Sequence, residues 1–309
     1  MQPSAHPRRI VLSTFGSLGD VNPYVGVACE LKARGHYPVI ATTAAYREKI
    51  EALGVGFHPV WPDLPSYDRP EAVRGMVEQA INPKTGGDYI LRTLILPHLR
   101  DIYADLLSAV RGADLLVTHP LPLVGPIVAA KTRISWISTV LAPFSLCSAY
   151  DPGVLPALPR LHTLLALSPA LARGFLRLVK WVLARKLQPI AQLRHEGGLP
   201  PGDHPLVEGQ HSPAGVLGLF SPVLAAPQPD WPPHTCLTRF PLNGDVQATR
   251  RAACPPSWPG SSRTIRPPWY SPWVLRRYGS LKNSTPRVSA LPRPYSNAPC
   301  CSLAARLHP

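Results

Sequence analysis

Residues 9–15, RIVLSTF, form an apolar run of β-forming residues, and after a glycine-containing turn the apolar positions of Tyr24–Arg34, YVGVACELKAR, recur at helical spacing. Gly35 stops that helix, and YPVIATT (37–43) predicts a second strand. The next helix, AYREKIEALG, ends at Gly54, and VGFHPVW (55–61) predicts a third strand. Strands alternating with helices predict a parallel sheet covered by helices, the doubly wound, Rossmann-like α/β architecture.

The alternation continues. Residues 88–110, DYILRTLILPHLRDIYADLLSAV, predict a helix that Pro97 kinks or divides. After Gly112 come the strand ADLLVTH, a proline-rich turn into GPIVAAKT, the strand ISWISTVLAP (134–143), and a buried strand in GVLGLFS (215–221). Ligands of such sheets bind beyond the strand C-termini, so Gly16–Pro23, His119–Pro122 and Thr139–Pro143 are expected to face one crevice. Residues 170–187, ALARGFLRLVKWVLARKL, are amphipathic, with Arg173, Arg177 and Lys180 at positions i, i+4 and i+7. They fit a basic helix on an anionic membrane surface and equally a domain helix with a solvated basic face.

Composition changes this picture only at the C-terminal end. The chain of 309 residues carries a net charge of +14 and 40 prolines. Residues 241–309 hold ten Lys/Arg against the single acid Asp245, and twelve of the prolines. That stretch alone carries +9 and leaves +5 for residues 1–240. The sequence therefore divides into a domain at 8–225, a proline-rich interdomain linker at 226–240, and an irregular, disordered basic tail at 241–309. Arg8 and Arg9 precede an apolar run too short for a secretory signal, and no stretch is long enough for a transmembrane helix. Six cysteines with no CxxC and no histidine at zinc-ligand spacing predict thiols and no bound metal. The expected location is cytoplasmic, with peripheral contact at the inner face of a membrane as an extension of the basic-helix reading.

The chemistry concentrates at the first turn, Gly16-Ser17-Leu18-Gly19-Asp20-Val21-Asn22-Pro23. It is neither GxGxxG nor a Walker loop, and a carboxylate at a helix mouth disfavours a phosphate there. Asp20 could take a proton from a substrate hydroxyl within hydrogen-bond reach, or could cap the helix. Ser17 and Asn22 flank it as cleft candidates, and Thr139 ends a strand expected to reach the same crevice. His119 also ends a strand, where it lines the cleft or serves as a satisfied structural residue. His36, in the turn after the first helix, suits the negative end of the helix dipole.

The segment GSLGDVNPYVGVACELKARGHYPVIATTAAYREKIEALGVGFHPV resembles the opening of the bacterial glycosyltransferase families that include sterol glucosyltransferases, rhamnosyltransferases and glycopeptide glycosyltransferases. The shared motifs are GSxGDxxP at Gly16–Pro23, RGH at Arg34-Gly35-His36, and the strand end Ala41-Thr42. The resemblance extends over about residues 8–240 through DLLVTHPLPLVGPIVAAK, ISTVLAPFSLCSAYDP and LFSPVLAAPQPDWPP. It implies the N-terminal, acceptor-binding half of a GT-B fold, in which a second Rossmann-like domain binds a nucleotide-sugar donor. It further implies inverting transfer of a hexose to a lipid-like, sterol-like or polyketide-like hydroxyl, with Asp20 as general base. No cofactor is implied; the nucleotide sugar is a co-substrate, bound only where the donor domain is present.

The tail does not fit that plan. It lacks strand–helix alternation and a His/Gly-rich donor loop, yet carries Trp258, Trp269 and Trp273, which are uncommon in disordered tails. Read one base out of frame, Trp269-Tyr270 forces Val and Trp273-Val274 forces Gly, so the segment can spell V-F-T-L-G-S-S, a strand and turn. The expectation is a frame change in the codons around 240 to 253, an absent donor domain, and a chain with little or no transferase activity alone. The excess charge then indicates no specific nucleic-acid partner. The rival is a noncatalytic acceptor-binding or scaffold protein whose basic tail binds an anionic surface. An ordinary nucleotide-binding Rossmann domain is weakly supported without GxGxxG and a ribose-binding acid.

Overall fold

The computed structural model describes residues 6–63, 70–154 and 159–238. The tail and the end of the expected linker, with the readings made on them, lie outside the described residues. Seven strands, β1 (Arg9–Ser13), β2 (Tyr37–Thr42), β3 (Gly56–Pro59), β4 (Leu115–Thr118), β5 (Ser135–Val140), β6 (Val216–Gly218) and β7 (Thr235–Leu237), form one sheet in the order β3-β2-β1-β4-β5-β6-β7. Every pairing is parallel. The order reverses between β1 and β4, so the crevice at their C-terminal ends is the switch point where open α/β sheets bind ligands.

The strands are apolar on both faces because helices cover both. Ile10 and Leu12 pack with Ile40 against Val21, Tyr24, Val25 and Ala28 of α1 (Leu18–Ala33) and Ile50 of α2 (Arg47–Ala52). Val11 and Leu116 pack on the other face against α5 (Leu99–Ala109), α6 (Gly125–Thr132) and α9 (Gln188–Glu196). The remaining helices are α3 (Pro70–Ala80), α4 (Gly86–Tyr89), α7 (Pro159–Leu165) and α8 (Pro169–Ala184). Pro97 divides the long helical stretch as its missing N–H requires: α4 runs into a π-turn at Ile90–Ile95 and a 3-10 turn at Leu96–His98 before α5 begins. Among the described residues no helix is long and apolar enough to cross a membrane.

Three expectations need correction. The first helix begins at Leu18, six residues before Tyr24, because a side-chain cap at Ser17 starts it and the helix tolerates Pro23, which forfeits one backbone bond. The stretch expected as linker, 226–240, contains β7, which extends the sheet by pairing Val216, Leu217 and Gly218 with Thr235, Cys236 and Leu237. Cys29 and Cys147 are not disulfide-bonded, whereas Cys236 is, against the expectation of thiols throughout.

Candidate functional site

The C-terminal ends of β1, β4 and β5 bring Ser17, Asp20, His119 and Thr139 to one side of the sheet, as the strand–turn pattern predicts. Ser17 is the N-cap of α1 and Asp20 its third residue. The Gly19 N–H donates to Ser17 Oγ at 3.2 Å, while Ser17 N–H and Oγ both donate to Asp20 Oδ2, at 2.8 and 2.9 Å. This is a capping box closed by Asp in place of Glu, and such caps are worth about 1 kcal/mol. Asp20 Oδ1 has no hydrogen-bond partner among the described residues. One carboxylate oxygen thus fixes the group and the other is left to act.

Gly16 makes the arrangement possible. Its φ is +132°, and a Cβ there would stand 2.3 Å from Asp20 Oδ2. Only glycine allows both the backbone turn and the close approach of the carboxylate. The Gly16 carbonyl is held from above by Tyr46 Oη at 3.0 Å, and Thr14 Oγ1 donates to the Asp20 carbonyl at 3.2 Å. The turn is therefore anchored at Thr14, Gly16 and Asp20 before any ligand arrives.

Tyr24, one helical turn beyond Asp20, has no exposed surface and organises the rest. Thr139 Oγ1 donates to the Thr118 carbonyl at 3.0 Å, so the phenol of Tyr24 is the donor in its hydrogen bond to Thr139. Burial, reinforced by the Asp20 charge and opposed by the Thr139 bond, drives the Tyr24 phenol far above its ordinary range, and it stays protonated. Its ring meets the His119 ring edge-on, with centroids 6.1 Å apart.

His119 is held through its backbone N–H, 2.9 Å from the Ser13 carbonyl, and through Nδ1, which is 3.3 Å from both the N–H and the carbonyl of Leu121. Nε2 is the nitrogen left for other contacts. Burial lowers the His119 pKa below its ordinary value, and the nearby Asp20 charge and the Leu121 backbone oppose that fall only in part, so the ring is neutral at pH 7.

Not every expected residue joins this cluster. Asn22 accepts from Lys49 Nζ at 2.8 Å and so ties α1 to α2. Thr139 is 2% exposed with its hydroxyl engaged twice, which makes it a support for Tyr24. His36, in the turn after α1, accepts from the Arg8 N–H through Nδ1 at 3.3 Å. The sequence reading missed Tyr24 and Gly16 as organisers; the available signal was the i, i+4 spacing of Asp20 and Tyr24, which puts both on one helix face.

Among the described residues no group of three or more His, Cys, Asp or Glu could hold a metal ion. A hollow of about 560 Å³ bordered by Arg111, Asp114 and Arg133 lies at the N-terminal ends of β4 and β5, opposite the switch point. The acid, the neutral imidazole and the serine hydroxyl at the crevice can together accept hydrogen bonds from, and take a proton from, a hydroxyl-bearing ligand.

Residues 10–89 match the glycosyltransferase family 28 N-terminal domain. The chain is 34% identical over 148 residues to a sterol 3-beta-glucosyltransferase of Penicillium rubens, covering 47% of this chain and 10% of that enzyme. It is 32% identical over 150 residues to the enzyme of the same name from Emericella nidulans, again covering 47% of this chain and 10% of the relative. The match thus spans about a tenth of the length of these curated relatives. Among solved structures, the glycosyltransferase SsfS6 of Streptomyces sp. SF2575 is similar at 20% identity and a TM-score of 0.43, covering 75% of this chain and 54% of that one. SnogD of Streptomyces nogalater gives 17% identity and a TM-score of 0.43, covering 86% and 56%.

Proposed function

We propose that this domain binds the acceptor of a hexosyl transfer and that Asp20 is the general base for the acceptor hydroxyl. The observation that carries the reading is the Asp20 carboxylate at the switch point, fixed through Oδ2 by Ser17 and free at Oδ1, inside the segment that matches the family 28 domain. Oδ1 would take the hydroxyl proton as the acceptor oxygen attacks the anomeric carbon of a nucleotide sugar. Attack opposite the departing nucleotide inverts that carbon. A positioned base of this kind contributes typically 10²–10⁴-fold.

Ser17 and the free Nε2 of His119 would contact the acceptor, while Asn22 and Thr139 act through Lys49 and Tyr24. The relatives' activity, sterol glucosylation, supports a sterol-like or lipid-like polycyclic alcohol as the acceptor class. Donor binding and stabilisation of the leaving nucleotide require a second domain. The 309-residue chain alone would then bind acceptor without transferring sugar.

The test combines the purified chain with a fluorescent sterol and UDP-glucose. Saturable sterol binding without glucoside is the expected result, and glucoside formed by the chain alone overturns the inactivity. Joined to the donor half of a sterol glucosyltransferase, the chain is expected to transfer. Asp20→Asn, whose amide oxygen can still accept the cap bonds, should then lower kcat by about 10²–10⁴-fold with sterol affinity retained. Undiminished transfer by that variant removes Asp20 as base. Sterol binding with no transfer even in the joined protein would favour the noncatalytic acceptor-binding reading, which the commitment of Oδ2 to the helix cap supports.

A further inference from the structure

α8 presents three different faces. Ala172 is buried with Ala149 and Leu165, and Phe175 and Leu176 pack against the same cluster. Roughly a third of a turn away at 100° per residue, Leu171, Leu178, Trp181 and Val182 form a second apolar stripe that no described residue covers, with exposures of 49, 53, 75 and 52%. Leu167, in the turn leading into the helix, adds to it at 73%. On the far side of this stripe stand the exposed Arg173 and Arg177, and Arg185 follows the helix end.

The charges are as one-sided as the apolar groups. α8 contains no acidic residue, and among the described residues Arg173, Arg177 and Arg185 form no ion pair. Lys180 alone is neutralised, by Glu208 at 2.6 Å. Arg173 lies over the Tyr150 ring at 5.9 Å, with its charge still uncompensated. A solvated helix face would carry polar groups where Leu178 and Trp181 stand, so the stripe calls for a covering partner.

The arrangement fits a plane better than a pocket. The four apolar side chains lie within a sector about 100° wide that runs along the axis, the cations flank that sector on one side, and tryptophan sits at its cationic edge, the combination that places an apolar stripe at the acyl boundary and arginines at phosphate level. With 16 residues, α8 is about 24 Å long, too short to span a bilayer core of about 30 Å but well suited to lie on it. We propose that α8 and its preceding turn form a docking surface for an anionic lipid bilayer, with Leu171, Leu178, Trp181 and Val182 entering the interface and Arg173 and Arg177 binding the phosphates. The proposal does not rest on sugar transfer.

Because residues 241–309 are themselves basic, the test reads differences between variants of the full chain. Sedimentation is measured with vesicles of phosphatidylcholine alone and with a third phosphatidylglycerol, for the wild-type chain, Leu178→Glu/Trp181→Glu and Arg173→Gln/Arg177→Gln. All four positions are exposed, and circular dichroism melts confirm that both variants fold. The apolar variant should lose about tenfold or more of its partitioning, and the arginine variant about 30-fold on anionic vesicles with little change on neutral ones. Brominated acyl chains should quench a tryptophan signal that Trp181→Phe removes. Partitioning unchanged in either variant, or quenching unchanged by Trp181→Phe, overturns the proposal. So does a dimer of the wild-type chain that the apolar variant alone dissolves, which would assign the stripe to a second copy.

Discussion

Gly16→Ala tests whether the carboxylate and the first turn are one device. A side chain at φ +132° carries backbone strain of order 1–3 kcal/mol. The added Cβ would also stand 2.3 Å from Asp20 Oδ2 and 2.8 Å from Asp20 Cγ, so the carboxylate must leave the cap, at about 1 kcal/mol. The expected total is about 2–4 kcal/mol, measured by urea denaturation at pH 7. In an Asp20→Ala background the oxygen and Cγ are gone, the nearest remaining Asp20 atom is Cβ at 3.1 Å, and the cap bond is already lost. There Gly16→Ala should carry only the backbone part, so its penalty falls by about 1 kcal/mol. Penalties that agree in the two backgrounds to within about 0.5 kcal/mol, the usual additivity of uncoupled sites, would refute the contact between Gly16 and the carboxylate.

The remaining predictions concern pH and the coding sequence. The ring nitrogens of His211 are buried and, among the described residues, make no well-formed hydrogen bond, and burial pushes the His211 pKa down to about 4 despite the weak opposing pull of the Ser145 backbone and the Glu208 charge. A folded pKa below the unfolded 6.5 means that the unfolded chain binds more protons between these values, so stability is complete above about pH 6.5 and falls as pH drops toward 4. The His211 part of that loss is at most about 3 kcal/mol, and His211→Gln should flatten the fall in denaturation midpoints from pH 7 to 4.5; an unchanged slope would refute the assignment. Resequencing the coding DNA around codons 240 to 253 is expected to reveal a one-base change that restores strand–helix alternation and a His/Gly-rich loop. A confirmed sequence whose shifted frame opens no such domain sinks the frame reading.

Apart from α3, which carries no sequence expectation, the order of strands and helices from Arg9 to Val140 was legible because both-sided burial makes each strand a continuous apolar run and Gly35, Gly54 and Gly112 mark the helix ends. α9 was not, since only Ile190 and Leu193 of its residues are buried and the rest of QPIAQLRHE is polar apart from Pro189 and Ala191. β7 was hidden because three residues among prolines carry no period, and only pairing with β6 makes them a strand. At the site, Ser17 and Asp20 could be read from their spacing at a helix start. The Tyr24–Thr139 bond could not, because it joins residues 115 positions apart and a tyrosine at an apolar helix position gives no sign that its hydroxyl has a partner.

The seventh strand bears on where this domain can be cut. A fragment ending at Ala225 would remove β7 and leave the backbone of Val216–Gly218 as an open, parallel edge. It would also strip Leu237 and Trp231 from the cluster of Val140, Leu146, Val216 and Phe220. Unpaired edges of this kind recruit other chains, so such a fragment would be prone to aggregate for reasons unrelated to its ligand. A fragment that keeps this pairing must extend through at least Thr238, whose N–H closes the ladder on the Gly218 carbonyl at 2.9 Å.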